Sequence, residues 1–309
     1  MSQPPSTSAA PRLLLVSPVR NEAAHIARVA RAVAAQELAP ARWIAIDDGS
    51  EDGTLGRLHD LRAEVRCLTV LRAPGTDPAA GARDRLARAV EARNFNIALA
   101  YAEWRRYTHV MKLDGDIELP PHYLRVLLER FAAQPRLGLA GGVLVEPVRG
   151  GGAPRAVSIS REHVHGALKC YTRECLEAIG GVQERLGWDT IDETYARMRG
   201  FQTRSLPELV CVHHRPLASA DGALRGHARH GACAYIVHQG PVWVALRALK
   251  VAGRRPAGLS GAAFLYGYAG AAARRVQRVP DRAYRRFARR ELRARMLGAL
   301  TPTREQTPV

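Results

Sequence analysis

Two aspartates separated by one glycine follow a short apolar stretch near the middle of the chain. Asp114 and Asp116 come directly after residues 107–113, whose composition is typical of a buried strand. The end of a strand is where an open α/β sheet presents side chains to a ligand crevice. Two carboxylates there can hold a hard divalent cation, which keeps part of its coordination shell for substrate phosphates. The pattern therefore predicts a cation site at Asp114 and Asp116.

A second pair of carboxylates, Asp47 and Asp48, follows the apolar residues 42–46. Carboxylate oxygens in this position can accept hydrogen bonds from a base and a ribose. A turn and a helix cap account for the residues that follow, Gly49 to Asp52, but not for both aspartates. Two acidic strand ends in one predicted sheet therefore indicate a site for a nucleotide and a metal ion.

The elements that position these acids alternate between strand and helix from residue 12 to residue 149. The first of them, residues 13–17, is a continuous apolar run, which is typical of a parallel strand buried on both faces. The alternation predicts an α/β fold with a mostly parallel sheet flanked by helices. We predict strands at 13–17, 43–46, 66–71, 107–113 and 137–145, and helices at 21–37, from 50 onward, at 80–105 and at 122–133.

The chain is strongly basic, with a formal net charge of +17. A basic surface favours anionic partners such as phosphorylated substrates, anionic lipid or nucleic acid. Only three of the basic residues are lysines, so a codon bias towards arginine is an alternative source of part of the charge. The sequence contains no helix-turn-helix or aromatic-studded sheet motif, and nucleic acid is not expected as a partner.

The five cysteines are scattered along the chain, and none of them forms a Cys-x-x-Cys pair. We therefore predict neither a disulfide framework nor a zinc knuckle. This usage fits a reducing cytoplasm. The first residues lack the pattern of a signal peptide, and no stretch reaches the roughly 18 to 20 apolar residues needed to span a bilayer. The expected location is the cytoplasm, with a peripheral position at the inner face of the membrane as the alternative.

Four motifs occur in order along the first two thirds of the chain. They are Pro18-x-x-Asn21-Glu22, Asp47-Asp48-Gly49-Ser50-x-Asp52-Gly53-Thr54, Ala92-Arg93-Asn94 and Asp114-Gly115-Asp116. In this order and spacing they resemble the family 2 glycosyltransferases of the GT-A fold, and the resemblance covers residues 13–216. It implies a nucleotide-sugar donor with UDP or GDP as the nucleotide, a divalent cation (Mg²⁺ or Mn²⁺) and inversion at the sugar carbon.

The resemblance also implies roles for individual residues. Arg93 would approach the base or the diphosphate. Asp114 and Asp116 would hold the metal ion and the ribose. The nucleotide pocket would be lined by Pro18, Asn21, Glu22, Asp47 and Asp48.

Transfer to a hydroxyl group requires a carboxylate that accepts the proton of the acceptor. The family places this base after a segment ending in Gly-Gly and before a helix, and three acids, Asp189, Asp192 and Glu193, occupy that region here. The family's usual Glu-Asp pair is reversed to Asp192-Glu193. We favour Asp192, and Asp189, on the same helical face, is the alternative. A further interpretation makes these acids first-turn residues that the helix dipole stabilises.

His213, His214 and Arg215 follow the apolar residues 208–212. A neutral imidazole can complete a metal shell, and strand alternation lets one of two adjacent histidines face the site. A pair of surface histidines is the alternative. Arg215 can neutralise the diphosphate leaving group, because a guanidinium matches phosphate geometry. Trp188 is a candidate for stacking on a sugar ring, with a buried tryptophan as the alternative.

The chain is mostly helical and basic from residue 222 onward. Residues 274–295, from Arg274 to Arg295, contain ten arginines and two acids, with apolar residues between them. Such a helix is typical of segments that bind an anionic membrane surface, and a solvated helix packed on the catalytic domain is the alternative. We predict a disordered leader at 1–11, a GT-A domain at 12–220 with a nucleotide-binding half at 12–149 and an acceptor half at 150–220, and a basic helical region at 221–309.

The sequence therefore predicts a metal-dependent inverting glycosyltransferase of cell-envelope or polysaccharide biosynthesis, with a glycan, lipid-linked or small-molecule acceptor. A nucleotidyltransferase also uses acidic strand ends, but it normally has a phosphate loop rich in glycine and lysine, and residues 17–22 are not one. A protein that binds nucleic acid or an anionic surface without catalysis explains the charge but leaves the ordered acids without a role.

Overall fold

The computed structural model describes residues 10–74, 89–147, 153–157, 160–215, 222–253 and 257–300. The chain divides into two compact units, Met1–Pro216 and Leu217–Val309. Most of the predicted leader, the glycine junction at 150–152, the first part of the helix predicted at 80–105 and the boundary predicted at 220 lie outside the described residues.

A mixed sheet organises the first unit, in the order β3-β2-β1-β4-β8-β6-β9-β5, with β7 beside β6. Strands β3, β2, β1 and β4 are parallel, β8 is antiparallel to both β4 and β6, and β6 and β9 are parallel. The α/β class is confirmed. Its parallel pairs lie among β1 to β4 and between β6 and β9, and β8 separates these two groups. The strands are β1 Leu13–Val19, β2 Arg42–Asp47, β3 Leu68–Arg72, β4 His109–Leu113, β5 Ile117–Glu118, β6 Leu137–Glu146, β7 Arg155–Ala156, β8 Leu168–Thr172 and β9 Gln202–His213.

Helices cover both faces of this sheet. Successive residues of a strand point to opposite faces, so the central strands contribute apolar side chains to a core on each side. Leu13 and Leu15 of β1 join a core with α1, α2 and α4. Leu14 and Val16 join a second core with α3, α5 and α6. These helices are α1 Ile26–Ala34, α2 Thr54–Leu61, α3 Val90–Ala102, α4 Tyr123–Ala133, α5 Arg173–Ala178 and α6 Trp188–Met198.

Two helices are shorter than predicted, and local backbone geometry explains both differences. Helix α1 begins at Ile26 rather than at residue 21, because Asn21 has a left-handed backbone (φ 53°) and the following residues form the loop above the sheet. Helix α3 ends at Ala102, where Glu103 (φ 49°) leaves the helical region and a 3₁₀ turn follows. In both cases the helical spacing of apolar residues continues into the loop, but the backbone of the loop is not helical.

The second unit is helical, with α7 Ala223–Ile236, α8 Pro241–Ala252, α9 Leu259–Ala273 and α10 Arg282–Leu300. Helix α9 packs against α7 and α8. Helix α10 buries Tyr284 and Ala288, while its neighbouring arginines stay exposed. Over the described part of the chain, every helix is too short or too polar to cross a bilayer.

Candidate active site

The loops that follow β1 and β2 are tied together at the carboxyl edge of the sheet. The Asn21 amide donates to Ser50 Oγ at 3.0 Å, and the Glu51 amide donates to Asn21 Oδ1 at 2.9 Å. The Glu22 amide donates to Thr54 Oγ1 at 2.8 Å, and that hydroxyl donates to Asp52. The polar residues of the first two motifs therefore hold the loop in shape, and the Asn21 side chain in particular is used for this purpose.

Gly115 is required by the close approach of this loop to the Asp-Gly-Asp motif. A Cβ at position 115 would lie 2.9 Å from Glu22 Cγ and 3.0 Å from Val19 Cγ1. Real side chains do not pack so closely, so a larger residue would push the loop away from the motif. The glycine thus brings Glu22 to the same edge as Asp114 and Asp116.

Asp116 is the centre of a buried polar cluster that β5 and β9 assemble. The two strands pair antiparallel with Ile117 opposite His213, and His213 Nε2 lies 3.4 Å from Asp116 Oδ2. Arg215 Nε lies 3.9 Å from the same oxygen, and Arg215 Nη2 lies 2.6 Å from Glu22 Oε2. Burial opposes ionisation, but the hydrogen bond with His213 and the charge of Arg215 lower the pKa of Asp116. Asp116 is therefore an anionic carboxylate beside an imidazole.

His214 lies away from this cluster, as strand alternation requires. Its Nε2 is 2.8 Å from Glu118 Oε2, and its Nδ1 is 3.0 Å from Arg28 Nη1. The ring is also stacked on His25 at 5.9 Å between centroids. Of the two histidines predicted to serve a metal ion, the structure brings only His213 to Asp116.

Asp114 is held by a buried lysine rather than by the Asp116 cluster. Its carboxylate pairs with Lys112, which also pairs with Glu91 on α3. The Asp114 amide donates to the Ala167 carbonyl at 2.9 Å. Among the described residues no group of three or more His, Cys, Asp or Glu side chains has metal-ligating geometry. Asp116 and His213 are adjacent donors of the kind a divalent cation takes when substrate phosphates complete its shell, so they fit the predicted ion.

The predicted nucleotide pocket contains buried polar atoms that lack a protein partner. Asp47 is 1% exposed, and its Oδ2 accepts a hydrogen bond from the Ser50 amide at 3.2 Å, while Oδ1 has none. Nδ2 of the buried Asn94 also has none. Unsatisfied buried groups are costly, so these atoms are suited to a ligand that supplies the missing partners. Asp48 is buried, Pro18 is half-buried and Arg93 is exposed on α3.

Asp192 and Glu193 lie in a buried ion network that leaves no path for an acceptor among the described residues. Asp192 is 2% exposed and accepts hydrogen bonds from Tyr171 Oη at 2.5 Å and Lys169 Nζ at 3.1 Å. Glu193 accepts from the Val164 amide at 2.8 Å and lies 3.2 Å from Lys169 Nζ. The prediction of Asp192 as the base does not fit this geometry, because both carboxylates are saturated by buried donors.

Asp189 is the acid of this group that remains accessible. It stands in the first turn of α6 and is half-buried, and no partner of its carboxylate is found among the described residues. The backbone of Gly166 approaches it closely, since a Cβ there would lie 3.3 Å from Asp189 Cβ. The same segment is tied to Asp114 through the Ala167 carbonyl. Asp189 is therefore connected by one short segment to the edge of the sheet that carries Asp114 and Asp116.

Trp188 is not open for stacking on a sugar. Its side chain is 8% exposed, and its ring lies 5.6 Å from Lys112 Nζ and 5.5 Å from Lys169 Nζ. These two lysines are register partners on β4 and β8. The indole therefore packs between two buried cations, which corresponds to the buried tryptophan given as the alternative.

Sequence reasoning missed His165, which lies beside Gly166 in the connecting segment. It is 9% exposed, and its Nε2 is buried without a protein partner. Burial, with smaller effects from His163, His213 and Lys169, lowers the pKa of His165 to about 4. Its imidazole is thus neutral near pH 7 and can form a hydrogen bond with an uncharged hydroxyl. No spacing motif marks this residue in the sequence.

The buried lysine of the Asp192 network gives a stability prediction. Burial alone would lower the pKa of Lys169, but Asp192 and Glu193 raise it, so the amine stays charged. Lys169→Met leaves the buried Asp192 without its cation, while Glu193 keeps His163 and Arg197, and it is expected to lower the free energy of unfolding by about 3–5 kcal/mol. Urea unfolding measures the change, with the exposed Lys250→Met as the matched control. Equal unfolding midpoints for wild type and Lys169→Met contradict the network.

Glu22 gives a pH prediction. Burial, reinforced by Asp116 and opposed by Arg215, raises the pKa of Glu22 from 4.5 to about 8. The folded state keeps this proton while the unfolded chain loses it, so the contribution to stability is complete below pH 4.5 and is lost as the pH rises through 8. Glu22→Gln is therefore expected to gain stability relative to wild type between pH 4.5 and 8. Thermal unfolding in metal-free buffer tests this, with the exposed Glu51→Gln as control, and parallel profiles contradict it.

The family comparison covers the first part of the chain, including the loops after β1 and β2 and the Asp-Gly-Asp motif. Residues 15–164 match the family model described as Glycosyl transferase family 2. Residues 15–164, just under half of the chain, are similar to family 2 glycosyltransferases. The match confirms the family and the enzyme class that the four motifs predicted. No match was found among curated proteins.

Several solved structures are similar to this chain in fold. The mannosyltransferase PcManGT from Pyrobaculum calidifontis, in complex with GDP-Man and Mn²⁺, is similar with a TM-score of 0.55 and 19% identity over 96% of this chain and 82% of that one. S. aureus TarS 1–349 is similar with a TM-score of 0.51 and 15% identity, over 84% of this chain and 70% of that one. The complex of TarS 1–349 with UDP-GlcNAc is similar with a TM-score of 0.51 and 14% identity, over 84% of this chain and 71% of that one. At these identities the similarity establishes the fold alone.

Proposed function

We propose that this glycosyltransferase is metal-dependent and inverting, and that it transfers a sugar from a UDP- or GDP-sugar to a hydroxyl group. The observation that carries the proposal is the adjacent pair Asp116 and His213 at the edge where β1, β2 and β4 end. A GDP-sugar and Mn²⁺ in one structural relative, and a UDP-sugar in another, support the donor class and the ion.

The donor nucleotide is assigned to the loops after β1 and β2. The unpaired Asp47 Oδ1 and Asn94 Nδ2 offer an acceptor and a donor for the base or the ribose. Asp48, Pro18 and the exposed Arg93 complete the predicted pocket. Glu22 contributes through Arg215, because its Oε2 lies 2.6 Å from Arg215 Nη2 and can position that side chain.

Asp116 and His213 would hold the Mg²⁺ or Mn²⁺ ion, while Asp114 keeps its ion pair with Lys112. When bound, the ion supplies positive charge that stabilises the departing nucleoside diphosphate. Arg215 adds a guanidinium at the same place, since it lies 3.9 Å from Asp116 and is one-third exposed. The protein thus concentrates positive charge where the leaving group develops negative charge.

Asp189 is proposed as the general base in place of Asp192. Its carboxylate takes the proton of the acceptor hydroxyl, whose oxygen forms a bond to the anomeric carbon. The bond from that carbon to the diphosphate oxygen breaks on the opposite face, so the configuration inverts. His165, with a free Nε2 in the connecting segment, is assigned to a hydroxyl of the bound sugar.

The acceptor remains a prediction. A glycan, a lipid-linked glycan and a small molecule all offer a hydroxyl to Asp189, and a role in cell-envelope or polysaccharide biosynthesis follows from the first two. A cytoplasmic location is proposed from the cysteine residues, all five of which are free thiols. The exposed arginines of α10 are consistent with the proposed contact of residues 274–295 with an anionic membrane.

A donor-hydrolysis screen tests the proposal without knowledge of the acceptor, because water can replace it. UDP- and GDP-sugars are incubated with the full chain and Mg²⁺, Mn²⁺ or EDTA, and the products are separated. The proposal expects free sugar and nucleoside diphosphate from at least one donor, only with a divalent cation. Release of pyrophosphate from nucleoside triphosphates would instead favour the nucleotidyltransferase. Binding of oligonucleotides without donor turnover would favour the nucleic-acid-binding protein.

A further inference from the structure

Large apolar side chains are exposed mainly on the second unit. Among the described residues ten such side chains are exposed, and eight of them lie in the unit Leu217–Val309. Six of the eight belong to two adjacent helices, α8 and α9. Contiguous exposed apolar surface marks an interaction site more often than scattered single residues do. We call these six residues the apolar face: Val242, Leu246, Leu249, Leu259, Leu265 and Tyr266.

Helix α8 is apolar on two opposite sides. Val244, Ala248 and Val251 are buried within the unit. Val242, Leu246 and Leu249 are spaced by four and three residues, so they form one stripe along the helix. Their exposure of 52–72% shows that the second unit does not cover this stripe. A helix that serves only its own core needs one apolar side, so the outer stripe indicates a partner.

Helix α9 buries small residues and Phe264, and it leaves three other large apolar residues exposed. A Cβ on Gly261 would lie 2.7 Å from the Ala248 carbonyl oxygen, and one on Gly267 would lie 1.8 Å from that of Ala228. The helix is therefore packed against α8 and α7 through its glycines, while Tyr266 is 73% exposed. In water-soluble helices the large apolar residues are usually buried. Small residues at helix contacts are typical of helices that face lipid.

The second unit is strongly basic, which favours contact with anionic lipid. Residues 217–309 contain 17 Lys and Arg residues against four Asp and Glu residues. Lys250 follows Leu249 directly and is exposed. Helix α10 adds exposed arginines, but its own Tyr284 is fully buried. The apolar contact expected of residues 274–295 is thus occupied inside the unit, and α8 and α9 present the free apolar face instead.

We propose that the apolar face docks on an anionic lipid bilayer, with its leucines and Tyr266 at the boundary between headgroups and acyl chains. The basic residues of the unit contribute electrostatic attraction to the anionic headgroups. The contact lies in the plane of the membrane, since α8 and α9 have 12 and 15 residues and are too short to span it. It requires neither donor nor metal ion and is independent of the proposed reaction.

Vesicle flotation with the full-length chain tests this proposal. Wild type is expected to float with vesicles of phosphatidylcholine and phosphatidylglycerol, and to float much less with phosphatidylcholine alone or in high salt. Leu249→Ser/Tyr266→Ser is expected to lower the partition coefficient about tenfold or more, because several buried methylene groups are lost. Leu246→Ser/Leu249→Ser on α8 alone provides a second variant. Tyr101→Ser/Val210→Ser removes exposed apolar residues from the first unit and is expected to leave flotation unchanged.

Three results overturn the proposal. The first is wild-type protein that stays at the bottom of the gradient with anionic vesicles, which would show directly that the chain does not bind them. Both α8–α9 variants floating as wild type does would show that another surface binds lipid. Sedimentation velocity gives the third, because a dimeric wild type that the variants convert to monomer assigns the apolar face to a second copy of the chain. Circular dichroism confirms that each variant is folded before it is scored.

Discussion

Asp189→Asn is expected to lower kcat for donor turnover by about 10²–10⁴-fold, the usual contribution of a general base. The carboxamide has the size of the carboxylate but cannot accept the proton of the attacking hydroxyl. The side chain is half-buried and makes no hydrogen bond or ion pair among the described residues, so the substitution removes only a weaker attraction to charges such as that of Lys169. We therefore expect the nucleotide affinity and the unfolding midpoint to stay close to those of wild type. Steady-state donor hydrolysis and calorimetric titration with UDP or GDP separate the two effects.

Asp192→Asn is the matched comparison, because it makes the same chemical change three residues away on the same helix. Asp192 is 2% exposed and bonded to Lys169 and Tyr171, so its loss is expected to reduce the free energy of unfolding. Turnover per folded molecule should remain near that of wild type. The reverse pattern, with Asp192→Asn inactive but stable and Asp189→Asn active, would restore Asp192 as the base.

Asp116→Asn is expected to lower donor turnover about 10³-fold and to remove its dependence on Mn²⁺. A metal ion supplies several kcal/mol of charge stabilisation to a leaving diphosphate, and each 1.36 kcal/mol is worth tenfold in rate. Asparagine keeps the shape of Asp116 but removes the negative charge that holds the ion. The measurement is the rate of donor hydrolysis as a function of Mn²⁺ concentration. A variant with the wild-type metal dependence would remove Asp116 from the ion site.

The two adjacent histidines provide the control for this result. His213→Ala removes a donor 3.4 Å from Asp116 and is expected to raise the Mn²⁺ concentration needed for half-maximal rate. His214→Ala removes a ring bonded to Glu118 and Arg28, so its metal dependence is expected to match that of wild type. Equal shifts in both variants would contradict the assignment of His213 alone.

The acidic strand ends were predictable because the signal is local. An apolar strand that ends in aspartates places them at the carboxyl edge of a parallel sheet. Two such motifs, together with two others in a fixed order, indicate the family. The helix-flanked α/β fold followed from the same alternation. The antiparallel position of β8 between β4 and β6 was not predictable in this way. It depends on pairing with β4, whose residues are distant from β8 in the sequence.

The sequence spacing could not decide which acid near residue 190 is accessible, because this depends on tertiary contacts. Asp189 and Asp192 share one helix, and Lys169 and Tyr171 from β8 decide which of them is buried. In the same way, the pairing of Ile117 with His213 decides which histidine reaches Asp116. One signal was present, however. Lys112, one of only three lysines in an arginine-rich chain, stands in the strand predicted at 107–113, and in the structure it is the buried cation that pairs with Asp114.

The central claim is that the edge of the sheet binds a nucleoside diphosphate together with a divalent cation at Asp116. Isothermal titration of UDP and of GDP into the full chain, with Mn²⁺ or with EDTA, tests it most directly. We predict that at least one nucleotide binds with Mn²⁺, that EDTA weakens this binding, and that Asp116→Asn weakens it equally in the presence of Mn²⁺. Binding of neither nucleotide, or binding that ignores both EDTA and the substitution, would contradict the account.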